Sequence, residues 1–183
     1  MSKPSPPSAE LVDQARNERP ELLLELGLDA ARHGDLDRGL VFLGEAHARL
    51  EASTTASLPA VLLSYYGLCL GVRRGQIAQA TQLCQLAIDR EFYRPDFYLN
   101  LARVWMAGGS RRRAITTLDT GLALQPGNRS LQHFRGVLGV RRPPVLRFLN
   151  RSHPLNVALG RLRHRVGRSA APKPVRQERY GSR

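Results

Sequence analysis

The chain has 183 residues, of which 42% are hydrophobic and only 6% aromatic, and it carries a net charge of +13. That length suits one domain with a continuous core plus tails, and the apolar stretch Leu58 to Val72 is shorter than the roughly 20 residues a membrane span needs. The start, Met-Ser-Lys-Pro-Ser-Pro-Pro-Ser, lacks an apolar signal core, and Cys69 and Cys84 show neither metal-ligand nor redox spacing, so the expectation is a cytoplasmic protein with buried free thiols, no metal and no cofactor.

In chain order, residues 1–7 read as a disordered Pro/Ser-rich leader. Ser8 is placed to cap a short helix through about Asn17, and Pro20 to open the next. Helices are then expected in pairs, at about 20–33 with 36–51, 58–72 with 76–90, and 95–107 with 111–124. Gly34, Gly75 and Gly108-Gly109 mark the turns inside the pairs, where positive φ is expected. A further helix runs from near Asn128 to about Val140, with Leu131, Phe134, Val137 and Leu138 at helical spacing, and is expected to cap the array. The sequence has no long alternating run of Val, Ile and Thr, so the fold class is all-α. Residues 8–140 form the helical domain in this reading, and 141–183 a basic Arg/Pro-rich tail. Within the tail, Val145 to Leu149 and Pro154 to Val166 read as short ordered segments and 170–183 as disordered.

The residues around Trp105 carry the most information. They run Tyr98-x-x-Leu101-Ala102-x-x-Trp105, then Gly109, Ala114-x-x-x-Leu118, Gly121 and Pro126. A bulky residue, a small residue and an aromatic recur on one helix. A small residue, an apolar residue and a closing proline follow on a second. Shifting back by about 34 residues matches Gly75 to Gly109, Ala80 to Ala114, Cys84 to Leu118, Ala87 to Gly121 and Phe92 to Pro126. The first helix of that unit reads Leu63-x-x-Tyr66-Gly67-x-x-Leu70. It is one residue out of phase with its second helix, so one extra residue is expected in a turn at Val72-Arg73-Arg74. Earlier still come Leu23-x-x-Leu26-Gly27-x-x-Ala30, Gly34-Asp35, Gly39-x-x-x-Leu43 and Ala46.

These spacings resemble the tetratricopeptide repeat family from Pro20 to about Asn128. The third unit matches best. In the earlier units Glu51 and Phe92 stand at the closing-proline position and Gly39 replaces the usual Ala. The tail, with Arg142-Pro-Pro-Val-Leu-Arg-Phe-Leu149 and Leu159-Gly-Arg-Leu-Arg-His164, resembles those of small bacterial repeat proteins, a likeness that brings no assigned activity. The family resemblance implies a right-handed α-solenoid of about three helix hairpins plus a capping helix. It also implies a non-enzymatic adaptor that binds a protein or peptide in a concave groove lined by the first helix of each pair. Carried onto this sequence, the groove set is Glu21, Leu24, Leu28 and Arg32, then Ser64 and Leu68, then Asp96, Leu99, Arg103 and Met106. Asn100 stands where many relatives carry an Asn that hydrogen-bonds a peptide backbone. It also belongs to the repeat pattern itself, and the two readings stand level. Leu24 and Leu28 fall where a clamp for chaperone C-termini would need polar or basic residues, so no such ligand is expected. On the same phase, Trp105 is expected between helices and Met106 on the groove side.

Charge is unevenly distributed. Residues 1–60 hold six basic and ten acidic side chains, 61–128 eight and four, and 129–183 fourteen and one. Only Lys3 and Lys173 are lysines, as a GC-rich coding sequence would give, but that bias does not remove acids after Asn128. The alternative function is therefore a polyanion-binding protein, for nucleic acid or an anionic membrane, acting through Arg141, Arg142, Arg147, Arg151, Arg161, Arg163, Arg165 and Arg168. Against that stands a tail whose Leu155, Leu159 and Leu162 pack back on the helices and leave the arginines merely solvated. The tail as an internal ligand of the groove is a third reading, and homo-oligomerisation through the exposed ends is also open. The histidines, His33, His47, His133, His153 and His164, are scattered, and no nucleophile elbow or paired-carboxylate motif is present. Catalysis is not expected.

Overall fold

A computed structural model of the chain describes residues 9–53 and 58–139. Among the described residues there are eight helices and no strand: α1 (Ala9–Asn17), α2 (Pro20–Arg32), α3 (Leu36–Ser53), α4 (Ala60–Arg74), α5 (Ile77–Arg90), α6 (Pro95–Ala107), α7 (Arg111–Leu124) and α8 (Arg129–Leu138). Proline opens α2 and α6 at the first helical turn, where the missing N–H has no partner to lose. Asn128 caps α8 by accepting from Leu131 N at 3.0 Å. The proposed cap at Ser8 and all of the tail, including its eight candidate arginines, lie outside the described residues.

Neighbours in sequence pair as hairpins, α2 with α3, α4 with α5 and α6 with α7, and each hairpin packs on the next through α3–α4 and α5–α6. The first helices of the pairs also touch one another in the order α2, α4, α6, with α8 lying lightly against α6. The result is an all-α solenoid. Gly34, Gly75 and Gly109 take φ of 89°, 69° and 72° in the three turns, the left-handed region that a side chain disfavours. The extra residue of the second pair is not in its turn. Val72, Arg73 and Arg74 are helical, α4 runs to 15 residues against 13 for α2 and α6, and only residues 75–76 separate α4 from α5. Arg73 on that added length donates from Nε and Nη2 to Asp37 at 2.6 and 2.5 Å, tying α4 to the start of α3.

The small residues of the repeat sit where two helices touch. A Cβ built on Gly67 would lie 2.9 Å from Ala80 O and from Cys84 Sγ, so α4 and α5 approach closer than any side chain allows. Ala80 and Ala114 are equally enclosed in their hairpins. The enclosed side chains form two clusters. One holds Leu23, Leu28, Phe42 and Leu43 with Leu62, Tyr65, Leu68 and Cys69 of α4. The other holds Leu63 of α4, Cys84, Ile88, Phe97, Tyr98, Leu101, Val104, Leu118 and, from α8, Leu131. α4 therefore contributes to both.

Trp105 of α6 packs against α7, between helices as expected, but at the margin of the core rather than in its centre. Trp105 is only half-buried at the edge of the second cluster, with the Arg113 guanidinium 4.7 Å above its ring, whereas Phe97 and Val104 are fully enclosed. Two partners press on α6 from different directions. Tyr98 meets Gly121 of α7 and Trp105 lies beneath Arg113 of the same helix. Val104 meets Gly71 of α4, and Asn100 bonds Ser64 of α4. The repeat pattern marks the α7 side and is silent on the side facing α4.

The helix ends are held by arginines. Arg49 of α3 donates to Ala15 O, Arg16 O and Glu18 O around the end of α1, at 3.3, 2.6 and 2.8 Å. Arg111 of α7 donates to Leu138 O and Gly139 O at the end of α8. A cation there satisfies carbonyls that have no helical partner.

Candidate binding groove

The first helices of the hairpins and the start of α8 enclose an open groove in two adjoining halves. The polar half, about 450 Å³, is lined by Ala31, Arg32, Tyr65, Arg94, Pro95, Asp96, Leu99, Asn100, Arg103, Asn128 and Ser130. The apolar half, about 520 Å³, is lined by Ala31, Gly34, Leu36, Leu68, Val72, Arg103, Met106, Ala107 and Phe134. Ala31 and Arg103 belong to both. The helical period explains the gathering: on α6, Asp96, Leu99, Arg103 and Met106 recur every three or four residues and so share a stripe.

The sequence-derived residues divide by depth. Arg32, Asp96, Leu99, Asn100 and Arg103 are together in the polar half, and Leu68, Arg103 and Met106 in the apolar half. Leu24 and Leu28 instead pack in the first core cluster, since the surface of α2 that carries them is covered. Ser64 is enclosed, and Asn100, only 2% exposed, donates from Nδ2 to Ser64 Oγ at 3.1 Å. Cys84 Sγ lies 3.4 Å from Ser64 O as donor. This polar knot joins α4 to α6 beneath the groove floor, and burial makes such a bond costly to break.

Other lining residues escaped the sequence reading: Tyr65, Arg94, Asn128, Ser130, Leu36, Val72 and Phe134. Some were accessible to it. Moving the period of about 34 residues one further step takes Asp96 to Ser130 and Phe97 to Leu131, so α8 behaves as the first helix of another unit. Tyr65 and Val72 likewise lie 34 residues before Leu99 and Met106; reading α4 one residue out of phase put Ser64 and Leu68 in their place.

Charge in the polar half is partly neutralised in place. Arg94 donates to Asp96 Oδ1 and Oδ2 at 3.3 and 3.1 Å and lies 3.6 Å from Glu91. The hydrogen bond to Asp96 pushes the Arg94 pKa further up. Tyr65 Oη reaches Asp96 at 3.5 Å. Arg32 and Arg103 have no carboxylate partner among the described residues. Their guanidiniums lie over rings, Arg32 over Tyr65 at 5.5 Å and Arg103 over Phe134 at 5.9 Å.

Beneath the surface, burial raises the Cys69 and Cys84 thiols to about 12, so both are packing groups rather than nucleophiles. Among the described residues no cluster of His, Cys, Asp and Glu is arranged to hold a metal, and no helix is long and apolar enough to cross a membrane.

No family profile matches the sequence, and no curated protein does. Solved structures do resemble it in architecture. The TPR domain of Arabidopsis OM64 is similar at 18% identity and a TM-score of 0.50, over 66% of this chain and 93% of that one. The first TPR domain of human RPAP3 is similar at 18% identity and a TM-score of 0.50, over 65% of this chain and 88% of that one. Together with the stacked hairpins and their small-residue contacts, these likenesses show that the chain has the fold of tetratricopeptide repeat domains.

Proposed function

We propose that this protein is a non-enzymatic, cytoplasmic adaptor or scaffold whose groove receives a segment of another protein. The observation that carries the reading is the groove's composition. A polar half with oriented donors adjoins an apolar half containing Leu68, Val72, Met106 and Phe134. Peptide segments offer that mixture of backbone, charge and aliphatic surface, and a helix or extended strand laid in a groove uses all three. Met106 adds an adaptable apolar contact.

The test replaces two groove side chains that are only partly buried. A full chain carrying Leu99→Asp and Met106→Asp should keep its helical circular dichroism but lose proteins that the wild type retains in a pull-down. An identical set of retained proteins would show that the groove is idle.

A further inference from the structure

The two edges of the hairpin stack differ in composition. The edge made by the links between hairpins carries the exposed side chains of Phe92, Tyr93 and Leu124, with Gln125 Nε2 donating to Tyr93 O at 3.1 Å. The edge made by the turns inside hairpins carries glycine and arginine. There Gly108 of the third turn lies against Ile77, the first residue of α5. Five arginines, Arg73, Arg74, Arg111, Arg112 and Arg113, fall within five residues of that contact.

The acids that could neutralise them are engaged elsewhere. Residues 61–128 hold four, Asp89, Glu91, Asp96 and Asp119. Glu91 and Asp96 pair with Arg94, and Asp119 with Arg135. Asp89 sits at the far end of α5, about 18 Å along the helix axis from Ile77. Asp37 is taken by Arg73. Arg74, Arg111, Arg112 and Arg113 have no carboxylate partner among the described residues. Two of these are held by the fold, Arg111 on the carbonyls that end α8 and Arg113 over Trp105. Arg74 and Arg112 are exposed.

The first hairpin is built differently at the same edge. Asp35 accepts from Arg38 N at 3.1 Å and Asp37 lies in the first turn of α3. α5 and α7 have no acid in their first turns. Three successive arginines at the start of α7 oppose its dipole, and an anion at the edge relieves that repulsion. A Cβ built on Gly75 or Gly109 would meet nothing within 4 Å, so the turns stand open to a bulky partner.

We infer that this edge binds the phosphate backbone of duplex nucleic acid. Arg74 and Arg112 make the contacts, since a guanidinium fork matches phosphate oxygens. Arg111 and Arg113 add positive charge from fixed positions. This surface is separate from the groove and does not depend on it. A single strand fits less well, because it binds by stacking bases on open aromatic rings, and Arg113 covers the indole beside this turn. A bilayer also fits less well. Its interface favours aromatic anchors, and Phe92 and Tyr93 are at the other edge. Phosphate contacts position a duplex without reading its bases, so binding follows salt rather than sequence.

The test titrates the full-length chain into a short fluorescein-labelled DNA duplex at several salt concentrations and reads anisotropy. The edge variant is Arg74→Gln with Arg112→Gln. The control is Arg16→Gln with Arg19→Gln, two exposed arginines near the start of α2. Both pairs remove the same charge, both leave the tail arginines in place, and exposed sites keep the fold. The edge variant should bind more weakly, and its plot of log K against log salt should be shallower than the wild type's by about 1.8, at about 0.9 per lost phosphate contact. The control should keep the wild-type slope. Equal slopes for all three proteins would place any duplex binding outside this edge. Equal losses in the two variants would reduce the effect to net charge. Tighter, Arg74- and Arg112-dependent binding of oligothymidylate, or of vesicles of phosphatidylglycerol and phosphatidylcholine, would assign a different partner. Each of these results, or a wild type that leaves the duplex unbound, overturns the inference.

Discussion

α4 and α6 hold equivalent places in successive hairpins but meet their surroundings differently. α4 follows the repeat pattern poorly, yet ten of its 15 residues are buried, against six of 13 on α6. α4 lies between α2 and α6, with α3 and α5 behind it, whereas the outer flank of α6 meets only the shorter α8. A helix enclosed on several sides can be apolar nearly all round and loses the periodic contrast that makes a repeat recognisable. α6 keeps an open stripe, and that stripe holds Asp96, Leu99, Arg103 and Met106. Adherence to the pattern therefore reports how evenly a helix is covered, while depth of burial depends on its place in the stack.

This contrast can be broken most sharply on α6 itself. Phe97→Ala removes a fully enclosed side chain and should cost about 3–5 kcal/mol, seen as a lower urea midpoint. Trp105→Ala should cost clearly less, about 1–2 kcal/mol, because the indole is only partly buried beneath Arg113 and leaves a smaller void. The reverse order would mean that α6 is rotated in solution.

A matched leucine pair sharpens the comparison between the two helices. Leu68→Ala on α4 should cost about 2–4 kcal/mol and Leu99→Ala on α6 about 1 kcal/mol, since both line the groove but Leu68 is only 1% exposed and Leu99 is partly open to solvent. Equal shifts in melting temperature would remove the distinction drawn between α4 and α6. At the lightly packed end, Asn128→Ala should cost about 1 kcal/mol through loss of the α8 cap, with hydrogen exchange rising first in α8.

The smallest effect at neutral pH concerns the thiols. With Cys69 and Cys84 raised to about 12, neither should react with a thiol reagent at pH 8 until the protein unfolds. The native state keeps these protons after the unfolded state begins to release them near pH 9. The unfolded state then binds fewer protons, so the contribution is intact below that pH and declines as pH rises toward 12. Rapid labelling of the native protein would place the thiols at the surface.

Much of the helical layout was legible because glycine and proline punctuate it. Gly34, Gly75 and Gly109 fall in the turns and Pro20 and Pro95 open helices. Hairpin contacts were legible wherever a small residue recurs, as at Gly67 and Ala80. The side of α6 facing α4 was not, since Phe97, Asn100 and Val104 answer to a neighbouring hairpin whose own sequence is degenerate. The one-residue offset read into α4 hid Tyr65 as a groove residue, although it lies 34 residues before Leu99. Asn100 shows the limit of transferring a role by position, because its amide nitrogen is already bonded to Ser64. The pairing of Arg94 with Asp96, and the stacking of Arg32 and Arg103, depend on side-chain directions that spacing alone does not encode.

That α4 contributes to both clusters of enclosed side chains has a mechanical consequence. The three hairpins are thereby coupled through α4, so calorimetry should record them melting in a single cooperative transition, with only α8 opening ahead of it. The shape of the groove, lined from α2, α4, α6 and α8, is then a property of the whole stack, and a segment bound in it should raise that transition as a unit.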